Sequence, residues 1–234
     1  MNKFILSFIR IKCIRSFLLC VLRCRQSKKF KLYLKNADEK KLQIGFGTNL
    51  LKGWLNTGLS LREMWYGAYL DAGKPYPLPD ASFDYVFSEH LFEHLTYKQA
   101  QNMLKESYRI LKPGGVMRLA TPDLKFLIKV YQEPEKPLHK AYMEYSTKHF
   151  SMKDNVMPST PVYLISRFHT SWGHQIIYDK ETLTGLLEQV GFKDICTCAV
   201  GESKHIALTG IEGHTNVLPI EYNILETMIL EGTK

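Results

Sequence analysis

Seven residues, Lys41-Leu42-Gln43-Ile44-Gly45-Phe46-Gly47, constrain the fold of this chain more than any others. A short apolar run that stops on Gly-x-Gly reads as a buried strand whose backbone turns sharply and lets a ligand approach closely. A dinucleotide fingerprint puts a third glycine three positions on, at the start of a helix, and Leu50 stands there instead. Strand-like runs follow at 54–59, 67–71, 83–88 and 116–120. Together they predict an α/β sheet assembled around the first strand.

With 234 residues, 45% of them apolar, the chain suffices for one large core and is short for two. Its formal charge of +8 is concentrated at the start, where residues 1–35 hold ten Lys/Arg and no Asp/Glu. That leaves 21 basic against 23 acidic residues for 36–234, so a nucleic-acid-binding reading of the main domain loses its support. The division expected is therefore a basic, apolar arm over 1–35 and one domain over 36–234. Five cysteines with no paired Cys-x-x-Cys spacing indicate neither a disulfide framework nor a zinc site, as expected in a reducing cytoplasm.

Within the arm, Arg10, Lys12 and Arg15 interrupt the apolar run well before the ~18–20 residues of a membrane span. The same interruptions disfavour a signal peptide. A helix with apolar residues nearly all round and scattered cations suits peripheral contact with the inner face of an anionic membrane, or packing against its own domain or a partner.

Beyond the glycine loop only 48–53 separate the first two strands, too few for a full crossover helix. The backbone N–H groups of Phe46, Gly47 and Thr48 are then the expected anion donors. Asp71 and Ala72 close the third strand on the side where open parallel sheets bind ligands, although Asp71 also suits a turn. The fourth strand exits through Ser88-Glu89-His90-Leu91-Phe92-Glu93-His94. Thr96 with Gln99 reads as a capping box for a helix ending before Pro113-Gly114-Gly115. A proline-interrupted stretch over 124–178, rich in aromatics and histidine, reads as a loop-rich cap. A helix after Asp179, a strand over 192–200, an irregular stretch over 201–222 and a last strand over 223–232 complete the chain.

In combination, LQIGFG, GWLNTG, YLDA, PLPDASFDYVFSEHLFEHL and LKPGG make the chain similar to class I S-adenosylmethionine-dependent methyltransferases, more narrowly to small bacterial members found beside glycan-building enzymes. The resemblance implies a Rossmann-like doubly wound sheet of about seven strands, mostly parallel with a reversed C-terminal edge strand, and a cap over the substrate. It implies S-adenosyl-L-methionine held by Gly45, Phe46, Gly47, Gly58, Asp71, Ala72, Ser88 and Glu89. It also implies an acid at the end of the second strand that binds both ribose hydroxyls, where Gly58 stands here. That loss would weaken the cofactor by ~1.5–3 kcal/mol unless Ser60 or Glu63 reaches the ribose instead.

Methyl transfer from a sulfonium is an in-line displacement that depends on positioning, aided for an acidic nucleophile by a base of near-neutral pKa. His90, His94, His169 and His174 are the candidate catalytic residues. His90-Leu91-Phe92-Glu93-His94 also resembles the Glu-x-x-Glu-His of quinone O-methyltransferases that use magnesium. His90 makes the set softer than magnesium prefers, and no metal is expected. The expected acceptor is a small molecule, sugar or lipid-linked glycan. The alternatives are a degenerate, non-catalytic binding protein and a nicotinamide-dependent oxidoreductase, the latter disfavoured by the missing third glycine and the LKPGG block.

Overall fold

The computed structural model describes residues 26–150 and 158–234. Seven strands form one sheet in the order β3-β2-β1-β4-β5-β7-β6. They are β1 (Lys41–Ile44), β2 (Leu55–Gly58), β3 (Ala68–Tyr69), β4 (Phe83–Glu89), β5 (Leu111–Pro122), β6 (Lys193–Cys198) and β7 (Thr227–Thr233). The first five run parallel, and β7 enters antiparallel between β5 and β6. Leu42, Ile44, Val86, Phe87, Met117 and Leu119 lie at 1% exposure or less, as strands covered on both faces require.

Residues 26–36 form helix α1, whose Phe30 joins the core beside Leu42 and Phe83 while Tyr33 stacks on Phe83. The Tyr33 hydroxyl accepts from the Lys41 backbone N–H at 2.8 Å. The boundary expected at residue 36 therefore cuts through the packed unit, which reaches back at least to Gln26. Residues 1–25, and with them the arm's membrane reading, lie outside the described residues.

After β2 comes a one-and-a-half-turn helix, α2 (Leu61–Tyr66), with a capping box between Ser60 and Glu63. Helix α3 (Tyr97–Ile110) begins at the expected Thr96–Gln99 capping box and buries Ala100, Met103, Leu104, Ser107 and Ile110 against the sheet. The cap is chiefly helical in its described parts: α4 (Leu124–Gln132), α5 (Pro137–Phe150) and α6 (Pro161–Thr170). Phe126, Tyr142, Leu164, Phe168 and Leu218 form a second core beneath it. The loop-rich reading failed because prolines at 137 and 161 open helices, where the missing N–H costs nothing.

Helix α7 (Lys180–Val190) ends on Gly191 at φ +114, the left-handed cap that glycine favours. The last strand starts later than the sequence pattern indicates, because 220–226 form α8 (Ile220–Glu226). That correction matters for function, since it brings Asn223 and Glu226 to the mouth of the sheet.

Candidate active site

Parallel register places Ile44 abreast of Thr57 on one side and Ser88 on the other. Gly45, Gly58 and Glu89 therefore leave the sheet side by side, with Asp71 just beyond β3. Gly45 and Gly47 have φ of +72 and +52, and a Cβ at Gly45 would come within 2.9 Å of Leu91. Both glycines are thus required by conformation, and Gly45 by close approach as well.

Several expected ligand groups are already engaged. Gly45 and Phe46 both donate their N–H groups to the Thr57 carbonyl, at 2.8 and 3.1 Å, and Gly47 donates to Glu63 Oε1 at 3.1 Å. The expected anion cradle from Phe46 and Gly47 is consequently not presented, because the loop folds back on β2 and α2. The Ser88 hydroxyl donates to the Ile44 carbonyl at 3.1 Å, stitching β4 to β1. Glu89 accepts from the backbone N–H groups of Gly213 and His214 at 2.8 and 3.0 Å, so it clasps the segment between β6 and β7. Asp71 accepts from the Gly73 N–H at 3.0 Å and pairs with Lys74 at 3.2 Å, a turn role that leaves its carboxylate partly exposed. Ala72 is buried, and its carbonyl accepts from Asn102.

Behind the β4 exit lies a cavity of about 470 Å³ lined by His90, His94, His174, His214, Glu93 and Glu226, with Tyr142, Phe168 and Trp172 as aromatic walls. Three of the four predicted histidines meet there. His169 does not, because it is exposed at the end of α6 while Phe168 points inward. Tyr142 comes from the aromatic-rich cap expected over 124–178, whereas His214 and Glu226 escaped sequence reasoning, since they come from the segment before β7 with no local motif.

The family model described as a methyltransferase domain matches residues 68–119. A Mycolicibacterium smegmatis protein named as a probable S-adenosylmethionine-dependent methyltransferase is 41% identical over 63 residues, covering 27% of this chain and 24% of its own. A ubiquinone/menaquinone biosynthesis C-methyltransferase of Neisseria gonorrhoeae is 32% identical over 124 residues, covering 53% and 42%. The chain thus spans less than half the length of these curated relatives. In fold it is similar to an S-adenosylmethionine-dependent methyltransferase of Mesorhizobium loti, with TM-score 0.50, 15% identity, and 88% and 95% of the two chains covered. Residues 68–119 thus resemble a methyltransferase domain, and the curated relatives that share sequence with the chain are S-adenosylmethionine-dependent or quinone C-methyltransferases.

The cavity's electrostatics divide its histidines. Burial opposes charge on His90, but its Nδ1 lies 3.2 Å from Glu93 Oε1, and the charges of Glu93, Glu226 and Glu89 add to that bond. The net effect raises its pKa, favouring imidazolium. Burial likewise opposes charge on Glu93, yet His90 outweighs it and holds the carboxyl below its usual range. His174 is the opposite case: burial lowers its pKa, and its Nδ1 donates to the Phe168 carbonyl at 2.7 Å. It is therefore held neutral with Nε2 as the acceptor. His214 stacks on His90 at 3.8 Å and bonds Glu226 Oε1 at 3.1 Å, while Tyr142 donates to the other Glu226 oxygen. His90, His214 and Glu226 bring one candidate ligand atom each within 4.8 Å of one another, as do Glu93, His94 and His174.

Proposed function

We propose that the chain transfers the methyl group of S-adenosylmethionine to a hydroxyl on a small, flat or ring-shaped acceptor seated in the histidine-lined cavity. The observation that carries this is the split between two histidines that line a cavity with aromatic walls: burial lowers the pKa of His174, whereas Glu93 overcomes burial and raises that of His90. Environments that push two titratable groups apart assign the base and the electrostatic partner. The bound cofactor supplies an electrophilic methyl group on a sulfonium. His174 Nε2 takes the hydroxyl proton, and the imidazolium of His90, fixed by Glu93, steadies the developing negative charge. Trp172 and Phe168 orient the acceptor ring, whether aromatic or sugar. Gly45 to Gly47, Asp71 and the Gly58 corner hold the cofactor, and His94 lines the acceptor side. Glu89 and Ser88 position these groups through the segment and strand they clasp.

A lipid-linked glycan acceptor requires the protein at a membrane. Trp65, Tyr66, Leu61 and Leu59 are more than half exposed beside Arg62, next to α1, which residues 1–25 precede in sequence. Aromatic and cationic residues together suit a bilayer interface. Among the described residues no helix is long and apolar enough to cross a membrane.

The test is turnover of S-adenosylmethionine to S-adenosylhomocysteine with a panel of phenolic, sugar and amine acceptors. His174→Ala is expected to lower kcat by roughly 10²–10⁴ for a hydroxyl acceptor with cofactor affinity unchanged. Equal rates in that variant would remove the base from the proposal, and turnover with amines alone would remove the hydroxyl acceptor.

A further inference from the structure

The corner at Gly58 is filled by a residue from elsewhere in the chain. A Cβ built on Gly58 would lie 2.3 Å from Cδ and Oε1 of Glu63 and 2.7 Å from its Oε2. The Glu63 carboxylate therefore occupies the space that a side chain at the end of β2 would enter. Three backbone donors fix it there: Gly47 N at 3.1 Å on Oε1, and Leu59 N and Ser60 N at 3.1 and 2.8 Å on Oε2. A carboxylate offers about four acceptor sites, so Oε1 keeps one open beside the glycine loop.

From this geometry we infer that Glu63, delivered by the capping turn of α2, is the ribose-binding acid of this chain, and that Gly58 is glycine because any side chain there would displace it. The inference rests on the cofactor reading above. An adenosine-containing cofactor brings a pair of hydroxyls to the end of β2, and a carboxylate is the strongest neighbouring acceptor for an O–H. With two sites on Oε2 and one on Oε1 taken, Glu63 accepts a single hydroxyl where a free strand-end acid accepts two.

Glu63→Gln preserves the capping box, because glutamine also accepts from the N-cap backbone. Isothermal titration of the full-length protein with S-adenosylhomocysteine is expected to show about tenfold or greater weakening in this variant, with an unchanged melting temperature. Analogues lacking one ribose hydroxyl are expected to bind the parent protein more weakly, with a smaller penalty for at least one of them in Glu63→Gln. Gly58→Asp alone is expected to give no gain, whereas Gly58→Asp with Glu63→Ala returns the acid to the strand and restores affinity to within a few-fold of the parent. If the parent binds S-adenosylhomocysteine and Glu63→Gln binds it equally well, this inference is overturned and the cofactor reading stands. If the folded parent does not bind it, both are overturned.

Discussion

His90 has φ +46, a left-handed conformation that a non-glycine residue holds at a cost of order 1–3 kcal/mol. The offset comes from Glu93, which is fully buried and also accepts from Thr121 at 3.1 Å. Linkage defines when this pair stabilises the fold. Glu93, lowered from 4.5, contributes above that value and loses its effect as pH falls through its folded pKa. His90, raised from 6.5, contributes below that value and loses its effect as pH rises through its folded pKa. Both contributions are complete between pH 4.5 and 6.5. In that window Glu93→Gln is expected to cost about 3 kcal/mol, shrinking as pH rises through the His90 pKa; urea unfolding across pH measures it. An equal loss at every pH would mean that the ion pair is not the cause. At this scale the sequence was legible where a residue's role follows from its neighbours in the chain: Gly45, Gly47 and the His90–His94 exit. His169 misled, because one helical residue separates an inward from an outward side chain. His214 and Glu226 carry no local signal, since they meet His90 only after β7 enters beside β5.

Among the elements, the segment between β6 and β7 was least readable, because its order comes from one fully buried side chain on a distant strand. Arg118 of β5 donates to Glu212 and Glu231 at 2.5 and 2.6 Å and to the Glu202 carbonyl at 2.9 Å. Glu212 then accepts from Gly201 N, and Asn49 donates to the Ile211 carbonyl at 2.8 Å, so the segment is pinned across the ends of β1 and β4. Its apolar residues follow no strand or helix period, so from sequence it reads as irregular; Leu208 and Ile211 pack against Trp54, Phe87 and Val116, and the buried charges fix the rest of its path. Arg118→Met leaves two buried carboxylates unpaired and is expected to cost about 3–5 kcal/mol. Limited proteolysis should then cut within 199–214 before the rest of the domain unfolds. A variant as stable and as resistant as the parent would show that the segment is held otherwise. By contrast, β1, β4, α3 and α7 were readable from apolar period and caps, since each buries a face set by its own residues.

For the whole molecule, a mostly parallel sheet of about seven strands with a reversed C-terminal strand followed from the resemblance the motifs carry, whereas the division into arm and domain did not, since α1 is basic in composition yet packs Phe30 into the core. A truncated chain intended to fold must therefore retain Gln26 onward. Full-length protein is expected to sediment with anionic vesicles and to be incompletely released by salt, whereas a chain starting at Gln26 binds more weakly and remains folded. No sedimentation at low salt would remove the membrane contact. The proposed activity requires above all that the ends of β1, β2 and β4 form a cofactor site. Isothermal titration of the full-length protein with S-adenosylhomocysteine and, separately, NADPH tests that directly, with Gly47→Val as the control that strains the loop backbone at φ +52. The expected result is saturable binding of S-adenosylhomocysteine, lost in a folded Gly47→Val variant, and no binding of NADPH. Binding of NADPH instead, or of neither by the folded parent, would contradict it.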